Sequence, residues 1–353
     1  MPPGSTSLLA LAAALPALAP GPAPSPPVER QVAVMGTTLR VEVTGLDREH
    51  GLALAERLVR AVEDAEVRLS TWRETSEIET LNRAPVGEPV PLSRSTWAAL
   101  GRALDWAAAS DGAFDPTMAP LVQAWGLRSA GRHPAPAEVR AALGAIGAGG
   151  IELTRAPLGA QKRLERRIEE GGFGKGAALD DALDLLEPGA PAAENATFVR
   201  IDLGGQIAWS GAREPVVVEL ADPAERARPV VAIELDAARG SVATSGNGER
   251  RLVLAGKAVG HLLDPRSGYP APDFGSVAVF APAALDADCL STALFVLGPE
   301  RGARWLSARG REFQALFLVT AGDRLRAVAT PGLAGRVRPL VPGLRIDTAG
   351  GSS

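Results

Sequence analysis

Asp288 and Thr292 are spaced for shared chemistry. They stand four apart in LDADCLSTALFVLG, where the pattern predicts a helix from Asp286 to Leu297, so both oxygens fall on one face a turn apart. A carboxylate and a hydroxyl can both ligate magnesium, leaving positions for water and phosphate oxygens. A structural reading has equal weight: Asp286 caps the helix and Thr292 bonds back to its own backbone. His261 opens HLLDPRSG. An imidazole that titrates near neutrality suits the role of base for a hydroxyl nucleophile, although a lone histidine is more often structural. Three glycine-containing turns complete the set: Gly171-Gly172-Phe173-Gly174-Lys175-Gly176, Asp202-Leu203-Gly204-Gly205-Gln206 and Thr244-Ser245-Gly246-Asn247-Gly248. The first opens a helix, so backbone N–H groups, the helix dipole and Lys175 all favour a phosphate there. No Ser or Thr follows the lysine as a Walker loop requires. Each turn taken alone reads as a structural bend or loop.

The elements that position these residues follow from periodicity. From Arg30, QVAVMGTTLRVEVTG alternates as two short strands or one broken by a bulge. Helical spacing predicts amphipathic helices over 50–69, 93–110 and 174–186, the first ending in the turn-rich segment STWRETSEIETLNRAP. The Ala/Pro/Gly-rich stretch 129–150 reads as a loop leading into a short helix. Beyond a Pro/Ala-rich break at 187–196, FVRIDL, PVVVEL, PVVAIEL, RLVLAG, SVAVFAP and FQALFLV read as strands. They lie too close together for helical crossovers, so the expected fold is α+β with mostly antiparallel sheets and packed helices.

Composition narrows the chemistry. The chain has 353 residues, is 46% hydrophobic and 22% charged, and carries a net charge of -4. These values are ordinary for a globular protein and give no basic field for nucleic acid. A single cysteine, Cys289, excludes an internal disulfide and a four-cysteine zinc site. The three histidines, His50, His133 and His261, are not spaced to chelate one transition metal, so any metal should be a hard, oxygen-ligated one. An apolar run from Ser7 to Ala19 is too short to span a bilayer, so no transmembrane segment is expected. It resembles the apolar part of a secretory signal, with Ala17-Leu18-Ala19 as a small-residue cleavage site, although no Lys or Arg precedes it. The expectation is export to the periplasm, or a cytoplasmic place if the leader is no signal. No nearby cysteine offers a lipoprotein anchor. The expected division is a leader over 1–28, one catalytic domain over 29–346 and a disordered tail over 347–353.

Taken in order, the segments resemble the ApbE family of FAD:protein FMN transferases from about Val32 to Gly298. MGTT at Met35–Thr38 resembles the opening motif, and STWRETSEIETLN resembles S-x-F/Y…S-E-[IL]-x-x-x-N. FDPTMAPLVQAWG, GGFGKGAALD, HLLDPRSG and ADCLSTALFVLG resemble F-D-x-T-v-x-P-L-v-x-x-W-G, G-G-I-A-K-G-Y-A-v-D, H-I-I-D-P-R-T-G and A-D-A-L-A-T-A-L-F-V-L-G. Departures are Glu169-Glu170 for the usual Asp-Leu, Phe173 and Gly174 for Ile and Ala, Pro215–Val218 in place of a tryptophan-bearing strand, and Gly248 for an aromatic residue.

The resemblance implies a single ApbE-like domain that moves the FMN half of FAD onto a Thr or Ser hydroxyl of an acceptor flavoprotein and releases AMP. It implies magnesium held by Asp288, Thr292 and a backbone carbonyl near Gly174, with His261 as the catalytic base. Lys175 and Arg266 would offset phosphate charge. Thr37, Trp72, Ser76, Glu77, Asn82, Asp115, Thr117, Thr244, Ser245 and Gly246 would contact FAD. An FAD-binding protein, or an FAD diphosphatase without an acceptor, is the alternative.

Overall fold

The computed structural model of the chain describes residues 26–187, 198–248, 252–254, 257–322 and 324–349. The expected export leader lies almost wholly outside them. Strands β1 (Val28–Val34) and β2 (Thr37–Thr44) form a hairpin over Met35 and Gly36, which have φ of 51° and 68°. Val28 is buried in β1, so the sheet begins within the expected leader. Helix α1 (Arg48–Leu69) is capped by Asp47 and buries Leu54, Leu58, Val62 and Leu69, a stripe at helical spacing. The segment expected as turns contains a further helix, α2 (Glu77–Arg83), because Ser76 accepts a bond from Glu79 N and caps it.

The chain continues through β3 (Val90–Pro91), α3 (Arg94–Ala109), α4 (Ala119–Ala124), α5 (Pro136–Gly144), β4 (Ile151–Arg155), β5 (Leu158–Lys162) and α6 (Gly174–Asp184). Strands follow: β6 (Phe198–Leu203), β7 (Gln206–Ser210), β8 (Val216–Ala221), β9 (Pro229–Leu235), β10 (Arg239–Gly246), β11 (Leu252–Leu254), β12 (Lys257–Val259) and β13 (Gly275–Ala281). Then come α7 (Ala284–Leu297), α8 (Pro299–Ser307), β14 (Gln314–Ala321), β15 (Arg324–Ala329), β16 (Val337–Pro339) and β17 (Arg345–Thr348). Pairing of β17 with β15 carries the sheet to Thr348, past the expected boundary at 346, because Asp347 and Thr348 pair with Val328 and Ala329.

The main sheet has nine strands in the order β1-β2-β6-β7-β10-β13-β14-β15-β17, antiparallel except for β15 and β17. Strand alternation divides its faces. Ala243, Val277 and Val279 join the core with α1, α6 and α7, while Val242, Ala278 and Leu318 pack against β8 and β9 of a three-stranded sheet ordered β16-β9-β8. A smaller core joins α4 and α5 to Leu263. The fold is therefore mixed α+β with mostly antiparallel sheets. No helix among the described residues is long and apolar enough to cross a membrane.

Candidate active site

The helices α6 and α7 hold each other by their first turns. Asp180 of α6 accepts bonds from Ala284 N at 2.8 Å and Leu285 N at 2.9 Å, capping α7. Burial pushes its carboxyl up to about 6. Asp288 of α7 in turn accepts from Gly176 N at 3.0 Å. The approach requires glycine, since a Cβ at Gly176 would lie 2.5 Å from Ala284 O and from Leu285 Cα. Asp286 does not cap the helix. It is a buried residue, and its carboxylate accepts from Arg102 at 2.6 and 3.1 Å and from Trp106 Nε1 at 2.6 Å, tying α7 to α3. The hydroxyl that bonds back along the helix is that of Ser291, to Asp288 O at 2.9 Å.

Around this junction the structure gathers several sequence-predicted residues. A Cβ at Gly172 would lie 3.7 Å from the Thr292 hydroxyl, so Thr292 faces the glycine turn that opens α6. One at Gly174 would lie 3.6 Å from Met35 Cε, and one at Gly204 would lie 2.6 Å from Thr37 Oγ1. The β1–β2 turn thus lies between two of the glycine turns. Met35 holds a left-handed backbone there, a conformation that disfavours a side chain and concentrates at functional sites. Ser245 shares a hydrogen bond of 2.8 Å with Ser291, next to Thr292.

Thr244, Ser245 and Gly246 form no loop. They end β10, and alternation sends Ser245 to the α7 face while Thr244 and Gly246 line a cavity of about 230 Å³ on the opposite face, with Asp202, Asp222 and Ser276. His261 is half-buried. Its neighbour Gly260 packs on the Asn247 side chain, which places His261 beside the end of β10. Arg266 bonds bidentately to Asp264 at 2.8 Å, which raises its pKa and binds its charge within its own turn. That turn is clamped to the α4 segment, since Trp125 Nε1 donates to Gly268 O at 2.8 Å. Lys175 is half-buried and makes no ion pair among the described residues.

Five proposed flavin contacts have their polar atoms bound inside the protein. Ser76 caps α2, and Glu77 Oε2 accepts from Ser93 N at 2.9 Å and its hydroxyl at 3.0 Å. Asn82 pairs with the Ile168 backbone in both directions, at 3.0 and 2.6 Å, and donates to Glu79 at 3.1 Å. Asp115 accepts from Thr117 N and hydroxyl at 2.7 and 2.6 Å and from Ala148 N at 3.2 Å, while the Thr117 hydroxyl accepts from Gly147 N at 2.7 Å. These bonds hold the loops that carry the five residues. Trp72 is the opposite case, 67% exposed beneath Arg128. Met35, Asp180 and Ser291 stand inside motifs without an individual role read from the sequence, and Arg128 stands in none. Only the Glu169-Glu170 departure marked the place where Arg128 bonds. Burial, then the neighbouring Glu170, push Glu169 up to about 7.

Residues 35–317 match the model of the ApbE family. The chain belongs to that family. An FAD:protein FMN transferase of Klebsiella pneumoniae is 30% identical over 308 residues, covering 84% of this chain and 85% of that one. One of Treponema pallidum is 31% identical over 330 residues, covering 87% and 88%. The crystal structure of an ApbE protein from Thermotoga maritima matches with a TM-score of 0.75 at 28% identity, over 83% of this chain and 94% of that one.

In this ApbE chain the donors suit one kind of metal. No group of three or more His, Cys, Asp or Glu that could hold an ion occurs among the described residues. Asp288, Thr292 and the glycine backbone at the start of α6 supply oxygen only. That incomplete set fits a hard cation completed by water and phosphate oxygens.

Proposed function

We propose that this protein is an FAD:protein FMN transferase that uses magnesium and modifies a Thr or Ser hydroxyl of an acceptor flavoprotein. The observation that carries the reading is the α6–α7 junction, where Asp288 bonds Gly176 N and Thr292 faces Gly172. The names of the relatives agree with it. The diphosphate would lie at the first turn of α6, where the helix dipole and Lys175 favour negative charge. Asp288, Thr292 and a carbonyl near Gly174 would hold magnesium, which offsets charge on the diphosphate when bound.

His261 takes the proton from the acceptor hydroxyl. The hydroxyl oxygen forms a bond to the FMN-side phosphorus, and the bond from that phosphorus to the bridging oxygen breaks. AMP leaves with the bridging oxygen, and FMN remains on the acceptor as a phosphoester. Thr37 and Trp72 are the assigned flavin-side contacts, and Ser245 steadies α7. Arg266 has a lesser part, because Asp264 already satisfies its guanidinium. We extend the proposal to export by the leader and action in the periplasm.

The test supplies purified protein with FAD, magnesium and a flavoprotein acceptor and follows acceptor mass and released nucleotide. A mass gain equal to a phosphoester-linked FMN, with one AMP released per acceptor, is expected. Free FMN and AMP with an unmodified acceptor would establish a diphosphatase instead. FAD bound without turnover would leave a carrier.

A further inference from the structure

Arg128 joins stretches of chain far apart in sequence. Its guanidinium stacks on Trp72, 4.8 Å from the ring centroid. Nη1 donates to Thr71 O at 3.3 Å, and Nη2 donates to the Thr71 hydroxyl and to Glu169 Oε2, the latter at 2.5 Å. Glu170 Oε2 lies 3.9 Å from the same nitrogen. Thr71 donates its N–H to Glu170 Oε1 at 3.2 Å and its hydroxyl to Glu170 Oε2. One guanidinium and two carboxylates thus bind the turn that carries Trp72 to the stretch leading into Gly172, Gly174 and α6.

The arrangement has a use beyond structure. Trp72 is an indole held at the surface with 67% of its area exposed. A side chain so exposed changes rotamer freely unless a neighbour fixes it. A planar fork that bonds two partners while stacking on a third can fix it, and an ammonium cannot. The carboxylates that anchor the fork stand where the family pattern has Asp-Leu, which makes the clasp a feature of this chain's own residues.

We propose that Arg128 is a positioning residue that locks Trp72 relative to the start of α6 and so sets affinity for the flavin ring of FAD. The proposal rests on the transferase reading. Its test compares Arg128→Ala, Arg128→Lys, Trp72→Ala and the Arg128→Ala/Trp72→Ala pair. FAD binding is read from quenching of flavin fluorescence, and KM and kcat from FMN transfer.

Arg128→Ala should weaken FAD binding and raise KM for FAD about tenfold with kcat changed less than about twofold, and Arg128→Lys should recover little of this. In the Trp72→Ala background, Arg128→Ala should add nothing, because the residue it positions is gone. Additive effects, or unchanged affinity in both single Arg128 variants, overturn the proposal. If Arg128→Ala does not fold, Arg128→Lys carries the same comparison. Loss of kcat with FAD affinity intact also overturns it. Absence of FAD binding by the wild-type protein is a separate result, which overturns the transferase reading and this proposal with it.

Discussion

The α6–α7 junction and the region around α2 and the Asp115–Thr117 turn both carry family motifs, yet they are built from different materials. At the junction, backbone and small residues make the close contacts, with Gly176 against Ala284 and Leu285 and Gly172 facing Thr292. Around α2, polar side chains bond to one another and to loops, as Asn82 does to Ile168 and Asp115 does to Ala148. A polar residue in a motif is therefore not by that fact a ligand contact. Accounting for its donors and acceptors shows what each such residue holds in the wall of the site.

The sharpest attempt to break that contrast is Asp288→Ala. It should lower FMN transfer by at least about a hundredfold, since a charged oxygen ligand is lost, while the chain still folds with stability lowered by about 1–3 kcal/mol, because the buried Gly176 N–H loses its partner. Turnover near wild type would remove the junction from the chemistry. His261→Ala should lower transfer by about a hundredfold, in the range of a lost general base, with FAD affinity nearly unchanged. Loss of affinity and turnover together would make that histidine structural.

Asn82→Ala probes the other region. It leaves the Ile168 N–H and carbonyl without their partner and should cost about 1–3 kcal/mol of stability in urea unfolding. Activity at saturating FAD should hold. If stability were unchanged and FAD binding lost, Asn82 would be a ligand contact after all.

The smallest effect concerns pH. Glu169 lies at about 7 against an ordinary 4.5, so the folded chain holds its proton over that range more tightly than the unfolded one. Its contribution to stability is fully present below the unfolded value and is lost as pH rises through 7. Glu169→Gln should flatten the fall in melting temperature between pH 4.5 and 7, and a slope identical to wild type would contradict the assignment.

The sequence was most readable where periodicity and spacing act alone. Helix α7 followed from helical pattern, and the antiparallel class followed from strands too closely spaced for crossovers. Helix α2 was hidden among turn residues because Ser76 acts there as a cap, and capping residues are also turn residues. The Thr-Ser-Gly segment was read as a loop because glycine obscured the alternation that ends β10. Asp180 closes the GGFGKGAALD motif but its role carried no signal, and Arg128 lies in no quoted motif, for the partners of both lie about forty or more residues away. Only the folded chain brings those partners together.

Gly176 has a consequence for how the site can change. The two helices meet there with a hydrogen atom as the only spacer, so their separation behaves as a machined tolerance. A methyl group would act as a wedge, and α7 would swing on its Asp180 cap like a lever. The displacement would reach Thr292 through more than a full helical turn. Variation that retunes this protein for a different flavin or acceptor therefore has room at the exposed rim, whereas the helix crossing permits almost no adjustment.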